Sequence, residues 1–470
     1  MNILMIAYYF PPDLSSGSFR PLHFARYLEE MGENVFVLTA REEDFLPYQH
    51  KDHTLLDSLN DNVTLVRSRV FHPTKSVITL RDKLFGKATK PTRAQVGPSN
   101  SRVKADSKPS VVQEFKDTIT DLLTTPDAQI GWLPSAVNAG RKIIREQQIE
   151  VMYATGNPWT GLMIGAILKK LTGVPVVLDF RDPWVSNYEF LSKRKLMRSL
   201  ETRLERGVIA AADHIIANTD ELKHDFLHRF PFLTADHVTT IYNGFDTYID
   251  TLPEYSNTTL TLTHTGTLRA RSPRCLLQAV LNLIEQDTIP KDAIHLIFLG
   301  GISVDDPLLE EILQNPVLQD VIEVLPRMPY QDVVQYQSAS DVLFLIQPEH
   351  FSLQIPRKLY EYMAFRKPIF GITNPGGATA HIIEKNELGI VAADQVAEIE
   401  SALKLFYQQW KSGAMAPRAM RKNDESVHAQ LKQKWEEDPQ YTRKQDKFLN
   451  KLLTVKLLNV FRKCCETHVE

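Results

Sequence analysis

Short apolar runs alternate with segments of helical periodicity through the first half of the chain. The runs are rich in Val and Ile and predict strands at residues 3–10, 34–39, 149–154, 174–179 and 214–218. The amphipathic segments between them predict helices at residues 20–31, 160–171 and 200–212. Strands separated by helices are typical of βαβ units and a parallel sheet, which binds ligands at the carboxyl ends of its strands.

A second alternation begins near residue 260, with an apolar run that ends at residues 264–267. Further strands are predicted at residues 295–299, 322–325, 341–346, 368–371 and 389–392, and helices from residue 273, at 330–338 and at 356–365. The stretch 243–257 is the expected linker. We therefore predict an α/β protein with two parallel-sheet domains, 1–250 and 251–410, facing each other across a cleft. A charged helical tail, 411–470, is expected to pack back on the first domain.

One polar segment interrupts the alternation. Residues 87–109 contain Lys, Arg, Ser, Pro and Asn with almost no apolar side chains. Because such a composition cannot contribute to a core, we predict a basic insertion. It is either a solvated loop or a lid that binds a substrate.

Composition and charge are those of an ordinary globular protein. Of the 470 residues, 43% are hydrophobic and 24% are charged, which argues against a disordered or collagen-like chain. The 54 Lys and Arg residues and 57 Asp and Glu residues give a formal charge of −3, so no overall positive charge favours nucleic acid. The three cysteines, Cys275, Cys464 and Cys465, lack metal-ligand spacing, which indicates a reducing compartment without structural zinc.

The apolar segments indicate neither secretion nor a membrane span. The N-terminal run has no basic region and leads into Pro11 and Pro12, which is typical of a buried strand rather than a signal peptide. The longest later run, near Leu162, ends at Lys169, short of the roughly 20 residues that a span needs. We expect a cytoplasmic protein that is able to contact the inner face of the cytoplasmic membrane.

Candidate chemistry lies first in PPDLSSGSFR, residues 11–20, between the first strand and the first helix. Gly17 allows a ligand to approach the backbone, and the helix start near Ser18 offers free N–H donors. Arg20 can bind a phosphate or carboxylate through two N–H groups. A short turn with a capping serine is the alternative, and the segment matches neither GxGxxG nor GxxxxGK[ST].

A second candidate segment, LDFRDPW, covers residues 178–184 and places three charged residues at the end of an apolar strand. Asp182 precedes a proline, which holds it extended, and it is a candidate acceptor or general base. The alternative is an internal Asp–Arg ion pair that orders the loop. Asn157, at the end of another strand, is expected to lie beside this segment.

The most informative segment is IPRKLYEYMA, residues 355–364. Pro356 suits the first position of a helix, so the preceding loop is expected to bring the helix N-terminus into the cleft. Lys358 and Glu361 are three residues apart and share one helix face. A lysine at a helix N-terminus suits a diphosphate, and a carboxylate one turn further suits ribose hydroxyls. A simple Lys–Glu surface pair is the alternative.

Weaker candidates follow the run that ends near residue 265. Gly266, Thr267 and Arg269 can contact a phosphate, whereas His264 is equally well explained as a core histidine. A basic run near Leu191 and Leu196 is either a solvated helix face or a surface for anionic lipid head groups. It consists of Lys193, Arg194, Lys195 and Arg198.

Together these motifs resemble the family-four glycosyltransferases. The start of the chain, with YYFPPD at 8–13, GSFR at 17–20 and FARYL at 24–28, is similar to the start of that family. Further similar segments lie at 173–184, 241–246, 264–268 and 356–362 and at Lys367 and Pro368, in the family's order. The resemblance covers about residues 1–410. It implies a GT-B fold, in which two facing Rossmann-like domains hold a nucleotide sugar mainly through the C-terminal one.

The resemblance also implies roles for individual residues. Glu361 resembles the second glutamate of the family's E-x7-E motif, which binds the nucleotide ribose, and Gly17 resembles a glycine-rich loop near the donor diphosphate. Lys358 and Arg269 stand where basic side chains would neutralise the diphosphate without a metal. The first glutamate of the motif would fall at Leu353, so its contact with the donor sugar is missing. Glu349 or Gln354 are the candidate substitutes.

The predicted activity is transfer of a hexosyl or related group from a nucleotide diphosphate sugar, with retention of configuration expected. Lys358, the helix after Pro356 and the Gly17 loop would stabilise the leaving diphosphate, and Asp182 completes the predicted catalytic residues. No Asp-x-Asp motif is evident, so we expect neither a cofactor nor a catalytic metal. The expected acceptor is a glycan or lipid-linked molecule of surface polysaccharide synthesis. The alternatives are a nucleotide-sugar epimerase or hydrolase of similar fold and a non-catalytic nucleotide-sugar-binding subunit.

Overall fold

A computed structural model of the chain contains two β-sheets with helices between their strands. The structure describes residues 1–46, 49–59, 62–72, 118, 120–191, 193–249, 257–268, 271–303, 306–414 and 446–467. The chain divides into two compact units: the first is Met1–Ile215 together with Val460–Glu470, and the second is Ile216–Asn459. The domain boundary near residue 250 and the packing of the tail stay predictions. The predicted insertion at 87–109 lies outside the described residues.

The first sheet has seven strands in the order β3-β2-β1-β4-β5-β6-β7. They are β1 Asn2–Ile6, β2 Asn34–Ala40, β3 Thr64–Ser68, β4 Val151–Gly156, β5 Val176–Phe180, β6 His214–Ala217 and β7 Val238–Thr240. The central strands pair in parallel, with Ile3 opposite both Val35 and Val151. The accompanying helices are α1 Ser16–Glu30, α2 Leu133–Glu146, α3 Trp159–Thr172, α4 Tyr188–Leu191, α5 Lys195–Ala211 and α6 Asp220–Arg229.

The second sheet has six parallel strands in the order β10-β9-β8-β11-β12-β13. They are β8 Leu260–Thr265, β9 Ile294–Leu299, β10 Ile322–Leu325, β11 Val342–Ile346, β12 Ile369–Ile372 and β13 Gly389–Ala392. The remaining helices are α7 Arg274–Glu285, α8 Pro307–Leu313, α9 Tyr330–Ala339, α10 Arg357–Met363, α11 Ala378–Lys385, α12 Val396–Lys411 and α13 Asn450–Glu466. The prediction of two parallel-sheet α/β domains is confirmed.

Burial explains why the apolar runs form these strands. Every residue of β4, β5 and β11 is buried, which is typical of central parallel strands covered on both faces. The predicted first strand is shorter than expected, because β1 ends at Ile6 and residues 7–10 continue as a loop. Helix α1 starts at Ser16, before the predicted residue 20. Strand β3 was not predicted, since its partly exposed sequence TLVRS has no long apolar run.

Among the described residues, none of the helices combines the length and the apolar composition that a transmembrane span requires.

Candidate functional site

The second sheet brings Lys358 to the end of strand β8. The Nζ atom of Lys358 lies 2.8 Å from Nε2 of His264 and donates a hydrogen bond of 2.7 Å to the carbonyl oxygen of Thr265. Both acceptors belong to the last two residues of β8, at the carboxyl end of a parallel strand. The predicted segments 264–267 and 355–364 therefore meet at the edge of the sheet where such folds bind ligands.

The chain turns sharply beside this lysine. Gly266 has a φ of +88°, a left-handed conformation that favours glycine, and a Cβ placed on it would lie 3.6 Å from Nζ of Lys358. The hydroxyl of Thr267 donates to the carbonyl oxygen of Gly300 at 2.8 Å and accepts from Nε of Arg327 at 3.3 Å. Gly266 thus leaves the space next to Lys358 open. Arg269 lies outside the described residues.

A second cation, Arg271, lies near Lys358 and was missed by the sequence analysis. Its guanidinium sits 5.8 Å from the ring centre of Phe351. Burial first, and then the positive charge of Arg271, lower the pKa of Lys358 to about 7, while Glu361 acts in the opposite direction. In the described part of the chain, no carboxylate forms an ion pair with Arg271. Arg271 follows strand β8 as Arg269 does, two positions further on, so the sequence holds the same signal for both residues.

His264 is both a core residue and part of this group. Its side chain is 0% exposed, and its ring lies 5.5 Å from that of Phe344 and 6.4 Å from that of Phe298, measured between ring centres. Burial, followed by the charges of Lys358 and Arg271, holds the pKa of His264 well below its usual value. The imidazole is therefore neutral, and Nε2 accepts a hydrogen bond from the Lys358 ammonium.

Glu361 forms its ion pair with Arg357 rather than with Lys358. The distance from Nε of Arg357 to Oε1 of Glu361 is 2.9 Å, one turn apart on α10, and the Glu361 side chain is 30% exposed. Tyr330 lies close enough that burial, and then the charge of Glu361, raise its pKa. The predicted Lys358–Glu361 surface pair is not formed. Helix α10 has only seven residues, so we expect its charged side chains to contribute more to the electrostatic potential of the site than its dipole does.

The loop before α10 is fixed by hydrogen bonds from the side chains of Gln347 and Thr219. Nε2 of Gln347 donates to the carbonyl oxygens of Phe351 at 3.1 Å and Gln354 at 3.0 Å. The carbonyl oxygen of Leu353, which occupies the position of the missing glutamate, accepts from Thr219 at 2.8 Å. Glu349 is exposed and Gln354 is half-buried. That Glu349 or Gln354 contacts the donor sugar in place of the missing glutamate stays a prediction.

In the first unit, Arg20 has a buried carboxylate as its partner. Its Nε and Nη2 each donate to Asp179 at 2.9 Å, and the exposed fractions of the two side chains are 6% and 0%. Asp179 also accepts hydrogen bonds from Tyr153 and Thr155. Burial, the largest single influence, lowers the pKa of Arg20, but the charges and hydrogen bonds of Asp179 and Tyr153 together outweigh it, so that pKa is raised. An internal Asp–Arg pair therefore exists, but it joins Asp179 to helix α1.

Gly17 and Ser18 also have internal partners. A Cβ on Gly17 would lie 2.8 Å from the ring of Tyr9, and the carbonyl oxygen of Gly17 accepts from the guanidinium of Arg181. The Ser18 hydroxyl is buried and donates to Asp13 at 3.3 Å. Side chains of Tyr9 and Arg181 therefore lie where a Cβ on Gly17 would point, and a role of Gly17 near the donor diphosphate stays a prediction. The predicted alternative, a serine cap, is not formed, since Ser15 precedes the helix without a side-chain cap bond.

Arg181, in the loop after β5, connects the start of helix α1 to the end of strand β4. Besides Gly17, it donates to the carbonyl oxygens of Gly156, at 3.3 Å, and Asn157. Asn157 therefore lies beside this segment. Asp182 is half-buried in the loop after β5, and its catalytic role stays a prediction.

The basic run is partly paired within the first unit. Lys193 lies 2.6 Å from Glu201, whose side chain is 1% exposed and also accepts from the indole N–H of Trp184. Arg194 lies 3.4 Å from Asp121. Lys195 is exposed, and so are the neighbouring Leu191 and Leu196, with exposed fractions of 62% and 65%.

Comparisons with known proteins address the family. A model described as Glycosyltransferase Family 4 matches residues 106–248, and one described as Glycosyl transferases group 1 matches residues 259–409. A search of curated protein sequences finds no significant match.

Among solved structures, the chain is similar to a sucrose-phosphate synthase from Thermosynechococcus elongatus, at 14% identity, 98% coverage of both chains and a TM-score of 0.59. It is also similar to the apo form of OtsA, at 10% identity, 99% coverage of both chains and a TM-score of 0.56. A third similar structure is the apo form of the lipopolysaccharide outer core galactosyltransferase WaaB, at 12% identity and a TM-score of 0.52. The match covers 98% of this chain and 100% of that chain. At such identities the likeness shows the fold alone.

Proposed function

The chain belongs to the glycosyltransferases of the family-4 type and has the predicted GT-B fold, and we propose that its donor is a nucleotide diphosphate sugar. The proposed reaction moves the sugar to a glycan or lipid-linked acceptor of surface polysaccharide synthesis. Retention of configuration, as the family resemblance implies, is part of the proposal.

One observation carries this proposal: Lys358 lies beside the open backbone of Gly266, and Arg271 is near enough for its positive charge to act on Lys358. Two half-buried like charges repel each other, and a diphosphate between them would be attracted to both. The same charges favour bond cleavage, because negative charge grows on the diphosphate as the sugar leaves. Glu361, one turn along α10, is the proposed partner of the ribose hydroxyls.

Lys358→Met tests the donor site, with Lys367→Met as the matched control. Lys367 belongs to the same unit, is also buried enough to have a lowered pKa, and donates to the carbonyl oxygen of Ser340, before the start of β11. Thermal shift and turnover are measured with UDP-glucose, UDP-N-acetylglucosamine, GDP-mannose and ADP-glucose.

We expect Lys358→Met to lose turnover by about 10²–10³-fold, as removal of one transition-state donor does elsewhere. The thermal stabilisation of this variant by the donor should also disappear, whereas Lys367→Met should keep both its turnover and its stabilisation by the donor. Unchanged turnover in Lys358→Met would contradict the proposal.

Metal independence is proposed because Lys358 and Arg271 supply positive charge where the diphosphate would bind. Turnover is therefore expected to survive dialysis against a chelator, at the same rate as with added Mg²⁺ or Mn²⁺. Loss of turnover on chelation, with recovery on adding a divalent ion, would contradict this part of the proposal.

Incubation of the protein with donor alone separates the alternative activities. An epimerase changes the sugar of the donor without an acceptor, and a hydrolase releases free sugar. A non-catalytic binding subunit is stabilised by a donor in the thermal-shift assay, but it turns over none of the four donors with any acceptor. A transferase shows product only when an acceptor is present.

A membrane-bound acceptor is proposed from the first unit. Leu191 and Leu196 are exposed beside Arg194 and Lys195, so this surface combines apolar side chains with positive charge. The double variant Leu191→Ser, Leu196→Ser should reduce sedimentation with vesicles that contain anionic lipid. Equal sedimentation of variant and wild type, or no sedimentation of either, would contradict the membrane part of the proposal.

A further inference from the structure

Lys358 has two fixed hydrogen-bond acceptors and one donor position left over. Its Nζ lies 2.8 Å from Nε2 of His264 and 2.7 Å from the carbonyl oxygen of Thr265. An ammonium group carries three N–H donors, so these acceptors use two of them. No third acceptor contacts Nζ within the described ranges, and the remaining N–H is available on the side of Gly266.

The imidazole of His264 sets the direction of this ammonium. Packing against Phe298 and Phe344 holds the fully buried ring in place. For Nε2 to accept from Lys358, the ring proton must be on Nδ1, which is buried and has no hydrogen-bond partner among the described residues. An unsatisfied buried donor costs about 1–3 kcal/mol, so this tautomer is favoured only while Lys358 is charged.

The charged groups around Lys358 come from three elements. His264 faces it from β8, Arg271 from the loop before α7, and Glu361 from its own helix. Glu361 also forms an ion pair with Arg357, so its negative charge offsets less of the positive charge of Lys358 and Arg271. Without a ligand, burial and Arg271 lower the pKa of Lys358 to about 7, so the amine is partly neutral near physiological pH.

We propose that His264 is a positioning residue for the donor diphosphate, and that binding of the donor draws a proton from the solvent onto each Lys358 that is neutral before binding. This inference rests on the proposed function, since it takes the diphosphate as the ligand. The amine becomes an ammonium with no other bond made or broken, and the proton returns to solvent when the nucleotide leaves. His264 accepts one N–H, Thr265 a second, and the diphosphate a third.

Isothermal titration calorimetry from pH 6 to 9, in pairs of buffers with different ionisation enthalpies, tests the proton uptake. The probes are the four nucleotide sugars above, whose diphosphate diesters do not titrate in this range. We expect the affinity to fall about tenfold for each pH unit above 7, with uptake near one proton per donor at pH 8.5. Lys358→Arg keeps its charge at every pH, so it should take up no proton and show a flat profile.

Variants of His264 test the positioning role. His264→Phe keeps an aromatic ring but removes the acceptor, so we expect weaker binding, by about tenfold at pH 7, and a decline that begins at lower pH. His264→Gln places an oxygen acceptor near the position of Nε2 and should restore part of the affinity and the pH profile. Thermal unfolding of each variant shows whether it folds, and Lys358→Arg tests the linkage independently of the His264 variants.

Each result has a separate meaning. Donor binding without proton uptake between pH 7 and 9 would overturn the linkage and leave the proposed function standing. A folded His264→Phe variant with the affinity and pH profile of the wild type would overturn the positioning role. If none of the four donors binds or is turned over, the proposed donor class fails and this inference fails with it.

Discussion

Arg20→Met is expected to destabilise the first unit strongly, because it leaves a buried carboxylate without its cation. Arg20 makes two hydrogen bonds of 2.9 Å to Asp179, whose side chain is 0% exposed. After the substitution, the donors that Asp179 keeps among the described residues are the hydroxyls of Tyr153 and Thr155. The helix α1 that carries Arg20 also loses its polar connection to strand β5.

The magnitude follows from the burial of both partners. Removing one member of a buried ion pair costs about 3–5 kcal/mol, since the other charge stays desolvated. Tyr153→Phe removes a single hydrogen bond to the same carboxylate and should cost about 1.5–3 kcal/mol. Arg26→Met is the matched control on the same helix: Arg26 pairs with Glu30 at 3.6 Å with both side chains partly exposed, and should cost less than about 1 kcal/mol.

Urea unfolding followed by tryptophan fluorescence measures these differences. Trp132, Trp159 and Trp184 are buried in the first unit, so their emission reports on its unfolding. Circular dichroism at the same urea concentrations checks whether one transition accounts for the change. If Arg20→Met unfolded at the urea concentration of the wild type but no longer bound donor, the buried-pair reasoning would be refuted and Arg20 would be a phosphate ligand.

Three further substitutions test other contacts. Gly17→Ala places a Cβ 2.8 Å from the ring of Tyr9 and should cost about 1–3 kcal/mol in urea unfolding; an unchanged midpoint would refute the close packing. Asp127→Ala removes the acceptor for the backbone N–H of Thr160, at 2.9 Å, and for its hydroxyl, at 2.7 Å, near the start of α3. It should cost about 1–2 kcal/mol, and full stability would show that the helix needs no such cap. Since the pKa of Lys358 is lowered to about 7, the unfolded chain binds more protons than the folded one between pH 7 and about 10, and the wild type gains stability as pH rises through this range. Lys358→Met should therefore be more stable than the wild type at pH 6.5, by up to about 1.4 kcal/mol per unit of pKa shift, with the difference shrinking towards pH 10; the same difference at both pH values would refute it.

The sequence alone determined the class of fold and the edge at which to look for chemistry. Runs of Val, Ile and Leu such as those of β5 and β11 require cover on both faces, and with helices between them they specify parallel sheets. Because a parallel strand delivers its carboxyl end to one edge of the sheet, Gly266 and Lys358 could be placed at the same edge before their distance was known. The order of the motifs along the chain was enough to identify the family.

Only the tertiary structure decided which polar groups are free to act. Arg20 and Asp179 are 159 residues apart and Lys358 and His264 are 94 residues apart, so their contacts depend on strand register and helix packing rather than on local spacing. Periodicity tells which face of an element is buried, but the partner of a charge and its loss of water follow from how distant elements meet. For that reason Arg20 has a buried carboxylate as its partner, whereas Arg271, absent from the sequence-based candidates, lies beside Lys358 without one in the described part of the chain.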